Sequence, residues 1–453
     1  MSEVKKVKIV PGVSYHSFDD KVYVHSVDSQ KDYIFSGIAL DILDYCSANA
    51  NSSIDNLCDW LAKQYEVDKT ELQNDVEEFV GELMEEKILY ETANADNEPS
   101  LQPIPVEVGA DFVKNHRLFS LTLELTYRCV EKCIHCYIDD SAPICTDNEL
   151  TLNEYKNILL QAKEMGCVNV LLTGGEVLLK KDFCDIAEYA ASLGFIVNVY
   201  TTGVGLTDEV FERLCAIKLN SVSFSLYSGN AIEHDKITGV KGSFEKTLKA
   251  MLMFRSAGVH TFIKSVVMRQ NAEQLESLYQ LGKRLKIHVT ISPRVVSGHE
   301  QKSADDYSLG NEDLYRKFFR LNSRYITDDY NKPIDENIRQ AILNGAACGA
   351  GLNTLSIDPF GGVHACVTFK NSFGSIRNNS LKDIWEQSKT LAYLKNRKTR
   401  EIVPLCETCK YIEFCQVCVA ELIQEKGDNF KDCGETFIMA KAAFNVREEE
   451  TTN

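Results

Sequence analysis

Proline is scarce. The 453 residues hold nine, and three of those fall in the single stretch ETANADNEPSLQPIPVEV at 91–108. A proline-rich, low-complexity chain is thereby excluded, and the one proline cluster marks a linker. No apolar run approaches the ~18 residues of a membrane span, so no membrane partner is expected. The start, MSEVKKVKIV, carries charge but no apolar core behind it, which speaks against a signal peptide and for a cytoplasmic location. Internal repeats are absent, which excludes solenoids and propellers. Positive charge is in deficit, with 49 Lys and Arg against 66 Asp and Glu and a net charge of −17. A general nucleic-acid binder needs the opposite balance. Residues 1–92 alone hold 19 acidic and 8 basic residues, a net −11.

Cysteine, by contrast, is abundant, at 16 residues. In a reducing compartment these are not a disulfide framework, and soft thiolates point to metal or redox chemistry.

Residues 12–35 alternate apolar and polar, broken at FDD and VDSQ, as two or three short strands do. Helical patterns follow in SGIALDILDYC, SSIDNLCDWLAKQY and DKTELQNDVEEFVGELMEEKILY. Together they form a winged-helix-like domain over 1–92, followed by a linker over 93–116. From 117 to 300 strands alternate with helices. The strand runs are SLTLEL, VNVLLT, FIVNVYT, SVSFSL, TFIKSVVM and HVTIS. Six such units predict an α/β fold, a partial (β/α)6 TIM-like barrel with its chemistry at the C-terminal ends of the strands. Residues 301–347 form a polar, helical bridge. A cysteine-rich domain spans 348–453.

The first barrel strand leads directly into RCVEKCIHCY, which places Cys129, Cys133 and Cys136 at C-x3-C-x2-C spacing. Three thiolates hold three irons of a [4Fe–4S] cluster and leave the fourth open for a small molecule. The second strand ends in Gly174, Gly175 and Glu176. The glycines allow close backbone approach to a ligand, and the carboxylate accepts hydrogen bonds from an amine. The third strand ends at Thr201 and Thr202, and the fourth brings Ser225 to the same face, where a hydroxyl would meet a ribose.

The cysteine motif followed by TGGE resembles the radical S-adenosylmethionine (SAM) superfamily. The resemblance implies that the open iron chelates the amino and carboxylate groups of SAM, with Glu176 and nearby backbone holding the ammonium. Reductive cleavage would then give a 5′-deoxyadenosyl radical, with an electron donor such as flavodoxin or ferredoxin. Val177 and His135 depart from the family pattern without removing a ligand. A structural zinc site is the bland alternative, with His135 or Cys145 as fourth ligand.

The later cysteines resemble a SPASM domain carrying two auxiliary [4Fe–4S] clusters. That resemblance implies that Cys406, Cys409, Cys415 and Cys433 hold one, and Cys348, Cys366 and Cys418 the other. The two residues between Cys415 and Cys418, where the family has three, depart from the pattern. The second set lacks a fourth thiol, so a substrate thiolate is expected there, with His364 or Asp358 as protein alternatives. Cys46, Cys58, Cys145, Cys167, Cys184 and Cys215 read mostly as small buried hydrophobes.

The order of elements in 1–92 resembles the peptide-recognition element of ribosomal-peptide maturases. The resemblance implies that the strand near 31–35 pairs with a leader peptide beside the third helix. The whole is similar to peptide thioether maturases of the sactionine and ranthipeptide type. Carbon–carbon cross-linking and formylglycine maturation are the enzymatic alternatives, and a zinc-bearing binding protein is the non-enzymatic one.

Overall fold

The computed structural model describes residues 6–10, 13–18, 21–26, 31–49, 52–91, 116–138, 142, 146–296, 306–325, 335–402, 405–415, 417–426 and 433–452. Nearly all of the expected linker, and Cys145, lie outside this set.

The N-terminal domain runs β1 (Lys6–Ile9), β2 (Val13–Phe18), β3 (Lys21–Ser26), β4 (Lys31–Ser36), α1 (Ala39–Ala48), β5 (Ser52–Ser53), α2 (Ile54–Tyr65), α3 (Lys69–Glu85) and β6 (Leu89–Glu91). β2, β3 and β4 form an antiparallel meander, and β1 lies between β5 and β6. Local chemistry sets the helix starts. The Ser53 hydroxyl accepts from Asn56 N at the head of α2, and Asp68 caps α3. Ile42, Leu43, Leu57, Leu61, Val76, Val80 and Leu83 bury the inner helix faces against Val22 and Val24 of β3. Because side chains alternate along a strand, Tyr23 and His25 must leave on the opposite face. They are buried too. Tyr23 packs on Val168 and Ile196 and meets the Phe119 ring edge-on at 6.1 Å, so β3 is covered by its own domain on one side and by the barrel on the other.

The barrel follows as β7 (Ser120–Glu124), α4 (Leu152–Glu164), β8 (Asn169–Thr173), α5 (Phe183–Ser192), β9 (Ile196–Thr201), α6 (Asp208–Ala216), β10 (Ser221–Ser225), α7 (Ala231–Thr238), α8 (Ser243–Ser256), β11 (Thr261–Val266), α9 (Leu275–Leu285) and β12 (His288–Ser292). The six strands are parallel and stand in chain order. The first of them stops at Glu124, one residue short of the end of the SLTLEL run. Leu121, Leu123, Val170, Leu172, Val197, Val199, Phe224 and Ile263 pack under the helices. Their alternate neighbours therefore face the inside of the curve, among them Glu124, Tyr200, Ser225 and Lys264. Beyond β7 the sheet gains β13 (Thr354–Ile357), parallel, and β14 (Val363–His364), antiparallel. The C-terminal domain thus enters the barrel sheet itself.

The remaining helices are α10 (Glu312–Tyr325), α11 (Glu336–Asn344), α12 (Leu381–Gln387), α13 (Lys389–Asn396), α14 (Val419–Lys426) and α15 (Glu435–Thr452). α15 returns along α10, tied by Asn445 Nδ2 to Glu312 at 2.7 Å and by Arg320 to Glu449 at 2.5 Å. No helix among the described residues is long and apolar enough to cross a membrane.

Candidate functional site

The cysteine loop leaves the C-terminal end of β7 and is pinned on three sides. Toward β8, Gly175 N donates to Thr126 O at 2.7 Å and Glu176 N to Arg128 O at 2.8 Å. Toward α7, Lys132 N donates to Thr238 O and Ile134 N to Ile237 O. Below, the Thr126 hydroxyl donates to Glu149 at 2.5 Å, and Glu149 pairs with the buried Lys180 at 3.1 Å. Arg128 reaches Leu179 O at 2.7 Å. Glu149, Lys180 and α7 were not singled out from sequence. Only the unusual burial of a lysine and a glutamate marks them, and burial is a tertiary fact.

The glycine pair has a different use from the one expected. A Cβ on Gly174 would sit 2.4 Å from Thr126 O, and one on Gly175 2.4 Å from Arg128 O and 2.7 Å from Tyr127 O. The backbone that comes so close is that of the cysteine loop. The glycines let two loops dock flush, and that docking positions the cysteines.

Glu176 is likewise committed within the protein. Its Oε1 accepts from Leu178 N at 3.1 Å and the Thr201 hydroxyl at 2.5 Å. Its Oε2 accepts from Thr202 N at 2.7 Å and from the Thr202 hydroxyl. A carboxylate has about four acceptor sites, and four donors fill them. Burial raises the Glu176 pKa, and these bonds oppose that rise. Glu176, Thr201 and Thr202 tie the loops after β8 and β9 together. Ser225 ends β10 beside Lys264 in register. The Tyr227 ring packs edge-on against His135 of the cysteine loop at 4.6 Å and stacks on His234 at 5.7 Å. His135, in a position the family fills with an aromatic, packs as one.

Among the described residues, no group of three or more His, Cys, Asp or Glu side chains is arranged to hold one metal ion. The thiols fall instead into three looser sets, each close enough for its members to disfavour one another's ionisation. In the first, burial and then Glu131, Cys136 and Cys129 push the Cys133 thiol far up. Cys129 lies on an exposed stretch, yet the atoms crowding its sulfur raise it to about 12. In the second, Cys366 is raised by burial with a contribution from Cys348, and burial raises Cys418 to about 12 with smaller contributions from Glu421 and Cys366. In the third, burial and then Cys433, Cys406 and Cys409 raise Cys415 to about 12. Sets of three, three and four soft donors, spread wider than a single ion allows, fit iron–sulfur clusters.

His364 and Asp358 are engaged elsewhere. His364 Nε2 lies 3.0 Å from Asp358 Oδ2, and its Nδ1 lies 2.8 Å from Phe369 O. The other Asp358 oxygen accepts from Phe360 N and Gly362 N. The pair shapes the β13–β14 turn.

A curved parallel sheet with a three-cysteine loop at its C-terminal edge, joined to a cysteine-rich extension, defines an iron–sulfur barrel protein. Residues 123–282 match the family model of the Radical SAM superfamily, 348–410 that of the SPASM iron-sulfur cluster-binding domain, and 26–89 that of coenzyme PQQ synthesis protein D, PqqD. The chain carries these three domains, and the first two imply SAM and [4Fe–4S] clusters as cofactors. It is 26% identical over 330 residues to the AdoMet-dependent heme synthase of Methanosarcina barkeri, covering 68% of this chain and 93% of that one. It is 29% identical over 331 residues to the mycofactocin maturase MftC of Mycolicibacterium smegmatis, covering 70% and 82%. It is 27% identical over 305 residues to the PqqA peptide cyclase of Rhizobium meliloti, covering 64% and 79%. The fold is similar to that of Streptococcus suis SuiB bound to precursor peptide SuiA, with a TM-score of 0.61 at 17% identity, covering 94% of this chain and 99% of that one.

Proposed function

We propose that the chain matures a ribosomally made peptide by joining a cysteine sulfur to a carbon of an acceptor residue. The observation that carries the thioether reading is the second thiol set. Cys348, Cys366 and Cys418 supply three ligands, while His364 and Asp358, the nearby candidates for a fourth, bond to each other and to backbone. A peptide thiolate is the natural fourth donor.

On this reading Cys129, Cys133 and Cys136 hold the SAM cluster, and Cys406, Cys409, Cys415 and Cys433 hold the second auxiliary one. Bound there, the clusters and SAM supply one-electron chemistry: hydrogen-atom abstraction by a 5′-deoxyadenosyl radical, thiolate coordination, and a sink for the second electron. Overall, one C–H and one S–H bond break and one C–S bond forms. The protein's part is placement. The glycine-docked loop fixes the cysteines, Glu176 locks the neighbouring loops, and the inner strand faces form a chamber beneath them. A flavodoxin or ferredoxin would supply the first electron.

The PqqD match and the outer position of β4 among the described strands support a peptide partner. β4 is the outer strand of its meander, and Phe35 on it meets Phe79 of α3 edge-on at 5.5 Å. A leader segment adding to that edge gains main-chain hydrogen bonds, with α3 as the wall of the groove. A peptide cyclase among the relatives is in keeping with cross-linking within a peptide, and carbon–carbon cross-linking is the second reading.

The test uses the reconstituted full-length enzyme, SAM, a low-potential reductant and a cysteine-containing peptide encoded beside the gene. Thioether formation removes two hydrogens and blocks alkylation of the cysteine. Loss of two hydrogens with the thiol still alkylated would select the second reading. An unchanged peptide would count against both.

A further inference from the structure

The inner face of the barrel holds a cation that the account so far leaves unused. Lys264 sits on β11, where Ile263 packs under the helices and Lys264 therefore faces the chamber. In register it lies beside Ser225 of β10 and Thr290 of β12. Its Nζ stands 5.7 Å from the centre of the Tyr200 ring, on β9. No carboxylate among the described residues forms an ion pair with it. Burial alone pulls its pKa below the usual lysine value, with no acidic group opposing. The acidic residue on the inner face of β7, Glu124, is bonded to Tyr137 instead, at 2.7 Å. A contact with one aromatic face offsets only part of what an ammonium loses on leaving water. A cation kept in such a place is poised for an anion that arrives with a ligand.

We propose that Lys264 is a carboxylate-binding residue of the reaction chamber. The inference rests on the reading above, in which SAM and a peptide share this chamber. The anions those two ligands bring are carboxylates: the methionyl carboxylate of SAM, or an acidic side chain of the peptide near the reacting carbon. Either would approach Lys264 from the open, C-terminal side of β11, where Ser225 already lies.

The test compares full-length, anaerobically reconstituted wild type with Lys264→Met and Lys264→Arg, at matched iron content. Binding is measured by calorimetry for SAM, for decarboxylated SAM, and, with SAM present, for N-acetyl-aspartate N-methylamide. Loss of a charge-assisted contact weakens binding by roughly tenfold to a hundredfold. If the cofactor's carboxylate is the ligand, Met weakens SAM by that factor, leaves decarboxylated SAM unchanged, and Arg retains most of the affinity. If the substrate's carboxylate is the ligand, SAM binds all three proteins equally and the aspartate probe binds wild type and Arg but not Met. Equal binding of every probe to wild type and Met overturns the assignment. So does loss of SAM and decarboxylated SAM alike in both variants, which marks a structural role. Failure of wild type to bind SAM would overturn the radical SAM reading itself.

Discussion

His25 Nε2, in the N-terminal domain, lies 2.9 Å from the side-chain oxygen of Asn220, at the foot of β10. From there Asn220 donates to Asn198 at 2.8 Å, Asn198 to Asn169 at 2.6 Å, and Asn169 to the Ser120 hydroxyl at 3.1 Å. On the other side His25 Nδ1 meets Asp32 at 2.9 Å, and Tyr23 donates to the same carboxylate. A polar ladder thus crosses the floor of the barrel and ends on β4, the strand assigned to the leader. His25→Leu should strip partners from buried polar groups and cost about 1–3 kcal/mol. Hydrogen exchange at Lys21–Ser26 should quicken while iron content stays the same. Unchanged exchange would mean that the ladder does not hold the domains together.

Gly175→Ala places a Cβ against two backbone oxygens that cannot swing aside. The cysteine loop must lift from the β8 loop, and the protein should lose roughly four irons, those of one [4Fe–4S] cluster. Gly81→Ala is the control, since its Cβ meets nothing within 4 Å and it sits inside α3. It should stabilise by up to about 1 kcal/mol. Iron analysis of the two variants, each scaled to wild type, decides the matter.

Burial raises the Glu124 carboxyl to about 7 from an ordinary 4.5, and the Tyr137 hydrogen bond only partly resists. Because the folded value is the higher one, the contribution is favourable below about 4.5 and is lost as pH rises through about 7. Glu124→Gln keeps an acceptor for Tyr137 and removes the ionisation. Relative to wild type it should therefore gain stability between pH 5 and pH 8, by about 3 kcal/mol at most. Urea midpoints at the two pH values check this. A gain toward low pH instead would reverse the assignment.

Cys418 stands at a spacing shorter than the family's, yet the fold brings it beside Cys366. Cys418→Ala should remove roughly four irons and leave SAM binding unchanged. Full iron retention would mean that another group ligates the cluster held by Cys348 and Cys366.

Much of this was legible in the chain. The six strands alternate because one side meets helices and the other the chamber, so their period shows in the residues. The three cysteines and TGGE follow the ends of adjacent strands, and backbone hydrogen bonds join their two loops. What could not be read were relations across the sequence. Asn169 and Asn198 read as polar positions within strand runs and Asn220 as the residue before one, until side-chain hydrogen bonds join them across the strands. β1 and β6 are too short to show a period. Gly174 and Gly175 signal close approach without saying to what. Glu176 reads as a free acceptor until Thr201 and Thr202 arrive from the next loop. β13 joins the barrel from more than 200 residues away, and no local pattern announces that.

Iron and acid-labile sulfide per chain, after anaerobic reconstitution of the full-length protein, test the central claim most directly. Three thiol sets predict roughly twelve of each. Roughly four would mean that the C-terminal cysteines build no clusters and the thioether reading loses its sulfur site. Little iron with stoichiometric zinc would contradict the account as a whole.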